Sequence, residues 1–167
     1  MPNLRPVLPV GFVVAEAVRA GTADWPVPPI LVTDLADKHD AFAAAEAGLI
    51  KSGTSSLEMA VAGVPHLVAY KVNPITAAIL RRLVRVPYVS LVNLLSERLV
   101  VPELLQQDAT PAALAATLHG LLTQPEMVSA QRDGFADLLG KLRPSQGMPS
   151  AAAAAAVLAC LMADRAR

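Results

Sequence analysis

Gly48-Leu-Ile-Lys-Ser-Gly-Thr-Ser-Ser-Leu-Glu-Met-Ala-Val-Ala-Gly-Val-Pro-His-Leu-Val-Ala-Tyr70 is the stretch whose reading decides the fold. The apolar pair Leu49-Ile50 reads as a short strand that runs into the small polar turn Ser52-Gly53-Thr54. A helix opens there, Gly63-Val64-Pro65 stops it, and Leu67 to Tyr70 form a second strand. This order puts the turn at the carboxyl edge of the first strand, where open parallel sheets bind ligands. The first amides of a helix have no intrahelical partner, and the summed peptide dipoles leave partial positive charge beside them. Ser52, Gly53 and Thr54 would let a phosphate approach those amides and would add two hydroxyls. Glu58, about one turn further on, is placed to accept from a ribose diol. The same residues also carry a purely structural alternative. Ser55 and Glu58 have capping-box spacing, with Ser capping the helix and Glu reaching back to the cap's own N–H.

Outward from this unit the rhythm repeats. Pro6 to Val14 reads as a proline-interrupted strand, followed by a helix ending at Gly21 and a proline-rich connector from Trp25 to Pro29. Ile30 to Val32 form the next strand, and Asp40 to Ala47 an alanine-rich helix. On the other side, Ile75 to Val86 reads as a helix with Arg81, Arg82 and Arg85 on one half and aliphatic residues on the other. That face is either a solvated surface or a contact for anionic lipid or substrate. Tyr88 to Leu91 reads as a fifth strand leading to Asn93, and Val101 to Gln107 as a short helix started by proline and an acid. Helices from Thr110, from Pro125 to Arg143 and from Ser150 complete the chain, the last with alanines suited to close packing on a neighbour. Strands alternating with helices, the strands short and continuously apolar, predict an α/β fold. It is a Rossmann-like parallel sheet with helices on both faces and a helical carboxyl-terminal extension. Residues 1–143 form the sheet domain, and 144–167 a terminal helix after a short break.

The chain has 167 residues, enough for one domain with a real core, and its 54% hydrophobic content excludes a disordered protein. Formal net charge is +0, so nothing points to nucleic acid. The single cysteine, Cys160, cannot form an internal disulfide, which suggests a reducing compartment, and its Ala/Leu helix suggests a buried thiol. Met1 to Pro9 lacks the apolar run of a signal peptide, and the Ala151 to Ala163 tract is too short to span a bilayer. Asp34, Asp37, His39 and Asp40 fit no standard cation loop and read as a solvated helix start. His66, inside a strand, reads as a satisfied core residue, and His119 lies on a polar helical face. No dinucleotide fingerprint, Walker loop or zinc spacing occurs. A phosphorylated ligand would therefore be held by amides, hydroxyls and arginines, without metal or cofactor.

Lys51-Ser-Gly-Thr-Ser-Ser-Leu-Glu58, Gly63-Val-Pro65, Val68-Ala-Tyr70, Pro74-Ile-Thr76, Arg82-Leu-Val84, Pro87-Tyr-Val-Ser90, Asn93-Leu-Leu95 and Val101-Pro-Glu-Leu-Leu-Gln106 follow in the order and spacing of lipid-A-disaccharide synthase. The chain resembles that family from about Val7 to Leu161. The resemblance implies one half of a GT-B glycosyltransferase, an inverting, metal-independent enzyme. It joins UDP-2,3-diacylglucosamine to 2,3-diacylglucosamine 1-phosphate (lipid X), giving a β-1,6-linked disaccharide and UDP. It implies that Ser52, Gly53 and Thr54 contact the diphosphate and Glu58 the ribose, while Asn93, Glu103 and Gln106 line the nucleotide-sugar pocket. It further implies a cytoplasmic protein, peripheral on the inner membrane and in contact with its anionic surface. Its partner would be the missing amino-terminal half, which in the family carries the proposed catalytic base, or a second copy in a domain-swapped homodimer. The sequence corresponds to the carboxyl-terminal half only, without that half's first strand and Gly-rich loop. Ser96-Glu97 stand where the family has Ala-Gly or similar small residues, and His66 where an apolar residue is common. On this resemblance the chain is a fragment, inactive alone. Two other readings stay open: another GT-B enzyme of UDP-sugars, such as an epimerase or peptidoglycan-precursor transferase, or a non-catalytic UDP-binding remnant.

Overall fold

The structure, a computed structural model, describes residues 4–73, 76–77, 86–144 and 147–165. Its strands are β1 (Val7–Pro9), β2 (Ile30–Val32), β3 (Gly48–Lys51), β4 (His66–Tyr70) and β5 (Glu103–Leu105). The helices are α1 (Ala15–Gly21), α2 (Leu35–Ala44), α3 (Ser55–Val61), α4 (Leu91–Ser96), α5 (Pro111–Thr123), α6 (Pro125–Leu142) and α7 (Pro149–Arg165). Single 3-10 turns follow β1 at Phe12–Val14 and β5 at Gln106–Asp108. Every strand pair is parallel, with helices on both sides, as expected of an α/β chain with a Rossmann-like sheet.

The strands fall into two sheets, β1-β2 and β3-β4-β5, and among the described residues no strand joins them. Register in the larger sheet sets Lys51 opposite Ala69 and Ala69 opposite Leu104, so the strands end nearly level. β4 is the central strand. Alternate side chains of a strand face opposite sides. His66 and Val68 face one side, where Val68 joins Ala60, Val92, Val101, Phe135 and Leu138 in the buried core. Leu67 faces the other and is equally buried, with α5 in contact with the strand. α6 comes close to the core because residue 134 is glycine: a Cβ there would lie 2.5 Å from Val100 Cγ1.

The segment 88–108 reverses the sequence expectation. Tyr88 to Leu91 is not a strand. Ser90 instead caps α4, its Oγ accepting the Asn93 amide at 3.2 Å, so Asn93 is a helix residue. Val101 to Gln107 does not open a helix. Pro102 O accepts the Val68 amide at 2.8 Å, and Glu103 to Leu105 pair with β4. Pairing across the sheet outweighs the local proline-plus-acid signal. α2 begins at Leu35, earlier than its alanines suggested, because the Asp34 carboxylate accepts the Ala36 amide at 2.7 Å. The helix expected over Ile75 to Val86, with Arg81, Arg82 and Arg85, lies outside the described residues save Thr76, Ala77 and Val86. α7 starts at Pro149, one residue before the expected cap, and its residues 149–162 are all exposed. The close packing expected of its alanines is absent among the described residues. Cys160 is accordingly exposed, not buried, because its helix rests on nothing described.

Candidate functional site

The Ser52-Gly53-Thr54 turn leaves β3 at the carboxyl edge of the larger sheet. Gly53 has φ +149, a conformation that needs glycine on backbone grounds alone, since an added Cβ would meet nothing within 4 Å. Gly53 and Thr54 are exposed, whereas Ser52 is half-buried and donates from Oγ to Val89 O at 2.7 Å. α3 begins at Ser55 behind Thr54, and among the described residues no side chain caps it. The capping-box alternative therefore does not form. Thr54 O accepts the Leu57 and Glu58 amides, and the Glu58 carboxylate turns instead to Lys38 of α2. Lys38 Nζ and Glu58 Oε2 make a charge contact outside hydrogen-bond alignment. What the turn presents to solvent is small residues and an uncapped helix start.

Behind the turn lies a closed polar network. Glu103, first residue of β5, accepts the Val89 amide on Oε2 and the Ser90 amide on Oε1, each at 2.9 Å. Its Oε1 also accepts Asn93 Nδ2 at 2.8 Å. Asn93 has no solvent exposure. Its Nδ2 also donates to Val101 O at 2.8 Å, and its Oδ1 accepts the Val100 and Val101 amides at 2.7 and 2.9 Å. Both donors and both acceptor positions of this amide are thus used, which fixes its orientation and ties α4 to the approach to β5.

His66 is buried under the same sheet. Its Nδ1 lies 3.0 Å from Val64 O, which can only accept, so Nδ1 carries the proton and Nε2 accepts the Ser56 hydroxyl at 3.0 Å. Gln131 of α6 grips the His66 backbone from both ends, accepting its N–H at 2.8 Å and donating to its carbonyl at 3.1 Å. Phe135 stacks on the ring at 5.4 Å. Burial lowers the imidazole from 6.5 to about 4, against an opposing effect of the Val64 carbonyl. His66 is thus the satisfied core residue its strand position suggested.

Of the residues singled out in the sequence, Ser52, Asn93 and Glu103 come together through Val89 and Ser90. Gly53 and Thr54 adjoin them. Glu58 is engaged by Lys38. Gln106, half-buried at φ 50 after β5, forms no side-chain hydrogen bond among the described residues. Sequence reasoning missed the Val89–Ser90 peptide and Gln131. Ser90 three residues before Asn93 was a cap signal, and Gln131 a lone amide near the apolar side of α6. Among the described residues, no three His, Cys, Asp or Glu side chains form a metal-binding group, and no helix is long and apolar enough to cross a membrane.

A family model described as Lipid-A-disaccharide synthetase matches residues 30–157, well over half of the chain. The chain belongs to this family. Proteins named lipid-A-disaccharide synthase are similar to it across most of its length. That of Gluconobacter oxydans (strain 621H) is 54% identical over 157 residues, covering 94% of this chain and 38% of the relative. That of Granulibacter bethesdensis is 48% identical over 172 residues, covering 96% and 44%. That of Rhodospirillum centenum is 46% identical over 157 residues, covering 94% and 39%. The chain therefore spans roughly two fifths of the curated relatives it matches. Glu97 ends α4 at φ 54, in the left-handed region that favours glycine.

Proposed function

We propose that this chain is the donor-nucleotide half of a lipid-A-disaccharide synthase. In the complete enzyme it holds UDP-2,3-diacylglucosamine while the other half brings lipid X and the catalytic base. The observation that carries this reading is the exposed Ser52-Gly53-Thr54 turn at the sheet's carboxyl edge, in a chain of this family. Gly53 and Thr54 face the diphosphate through their amides and the Thr54 hydroxyl. Stabilising the negative charge on departing UDP needs only preorganised donors. Glu58, with Lys38 beside it, stands near the ribose, and Gln106 near the sugar. Asn93 and Glu103 close the floor of that pocket.

The split between β1-β2 and β3-β4-β5 supports the incomplete-half reading, because among the described residues each sheet keeps strand edges that a further parallel strand could pair. The exposed Val157, Leu158, Leu161 and Met162 of α7 are then covered by the other half or by a second copy. The arginines at 81, 82 and 85 give this part of the sequence a positive charge that suits anionic lipid. The test is reconstitution. The chain alone, given UDP-2,3-diacylglucosamine and lipid X, is expected to form no disaccharide. Co-expression with the part of the Gluconobacter oxydans relative that it lacks is expected to restore product. Robust turnover by the chain alone, or none after a stable complex forms, would refute the proposal.

A further inference from the structure

Among the described residues no hydrogen bond joins Ser52 to Glu103 directly, yet they hold the two ends of one peptide group. The Val89–Ser90 peptide presents its carbonyl to Ser52 Oγ at 2.7 Å and its N–H to Glu103 Oε1 at 2.9 Å. Glu103 Oε2 takes the preceding amide, that of Val89, at 2.9 Å. A carboxylate accepting from an amide polarises it, so the carbonyl at the far end becomes a stronger acceptor for the next donor. The carboxylate itself is held by Asn93, which has no solvent exposure and no spare hydrogen-bonding capacity. A rigid chain thus runs from Asn93 through Glu103 and the Val89–Ser90 peptide to Ser52, and ends at the turn.

A serine hydroxyl has one proton, and here it is spent on Val89 O. Ser52 can still accept, but it cannot donate to a phosphate without releasing the loop. We infer that Glu103 is a positioning residue for the Ser52-Gly53-Thr54 turn, acting through the Val89–Ser90 peptide, and that the Ser52 hydroxyl is a tether, not a phosphate donor. Donation to an anionic ligand falls to the Gly53 and Thr54 amides and the Thr54 hydroxyl. This rests on the proposed donor site for its purpose, but the coupling itself needs no ligand.

The test is a double-mutant cycle on the isotope-labelled chain, read by amide chemical shift and backbone order parameters without nucleotide. Ser52→Ala should lower the Gly53 and Thr54 order parameters below about 0.6 and should move the Ser90 amide resonance. Glu103→Gln should move the Val89 and Ser90 resonances and also lower the Gly53 and Thr54 order parameters. With Ser52→Ala already present, Glu103→Gln should add nothing further at Gly53 and Thr54 while still moving Val89 and Ser90. Additive effects at the turn, or a turn unchanged by Glu103→Gln, would overturn the inference. If Glu103→Gln does not fold, Ser52→Ala alone decides, since an unmoved Ser90 amide overturns it. UDP is then added to the unmutated chain. Coupling without UDP binding would refute the proposed function alone, and UDP binding without coupling would refute this inference alone.

Discussion

The two sheets of this chain use the same vocabulary of short apolar strands and short helices, but they are finished to different degrees. β4 has a partner on each edge and cover on each face, and Leu67 and Val68 have no exposure. Among the described residues β1 and β2 have only each other, with Val7 38% and Ile30 56% exposed and Phe12 and Val13 almost wholly so. Parallel strands are stable where both faces are covered, and a lone two-stranded sheet is marginal in water. Stability should therefore be concentrated in residues 48–142, on which the candidate site is built, and should be low in residues 4–44.

Hydrogen exchange should divide the sheets most sharply. The Gly48 and Val68 amides bond across the larger sheet, and the Val10 and Ile30 amides across the smaller, at similar lengths of 2.8–2.9 Å. Bond length alone would predict equal protection. We expect the first pair to exchange only on global unfolding and the second at least ~10³-fold faster, by local opening. Equal protection would break the comparison. Truncations should follow the same division. Phe135→Ala, at the centre of the core, should lower unfolding free energy in urea by about 3–5 kcal/mol, and Ile30→Ala by under about 1 kcal/mol.

His66 sharpens the comparison through pH. Its folded value, about 4, lies below its unfolded value of 6.5, so between these the unfolded chain binds more protons. Its stabilising contribution is complete above pH 6.5, falls as pH drops toward 4, and is constant below that. The loss should be on the order of 3 kcal/mol. It should appear in β4 and α6 protection and leave β1-β2 unaffected. A His66→Gln variant should lack this acid dependence, and a variant that kept it would place the titration elsewhere.

The same contrast separates what the sequence made legible from what it hid. From Gly48 to Tyr70, local signals and tertiary structure agree: the apolar runs are strands, Gly53 is a turn residue, and Gly63-Val64-Pro65 ends the helix. From Tyr88 to Gln106 they conflict. Ser90 caps a helix over residues that look β-prone, while Pro102 and Glu103, which look like a helix start, enter a strand because β4 offers an edge. Neither Glu103 accepting two neighbouring amides nor Ser52 reaching Val89 could be read locally, because the partners are 13, 14 and 37 residues apart. α7 misled for the opposite reason. Its pattern predicts burial, and nothing among the described residues buries it.

Titrating UDP into the isotope-labelled chain without divalent cation tests the central claim most directly. A saturable response centred on the Gly53, Thr54 and Ser55 amides, with β1 and β2 silent, is the predicted result. A response confined to residues away from that turn, such as the α5–α6 corner around Gln124, would contradict it.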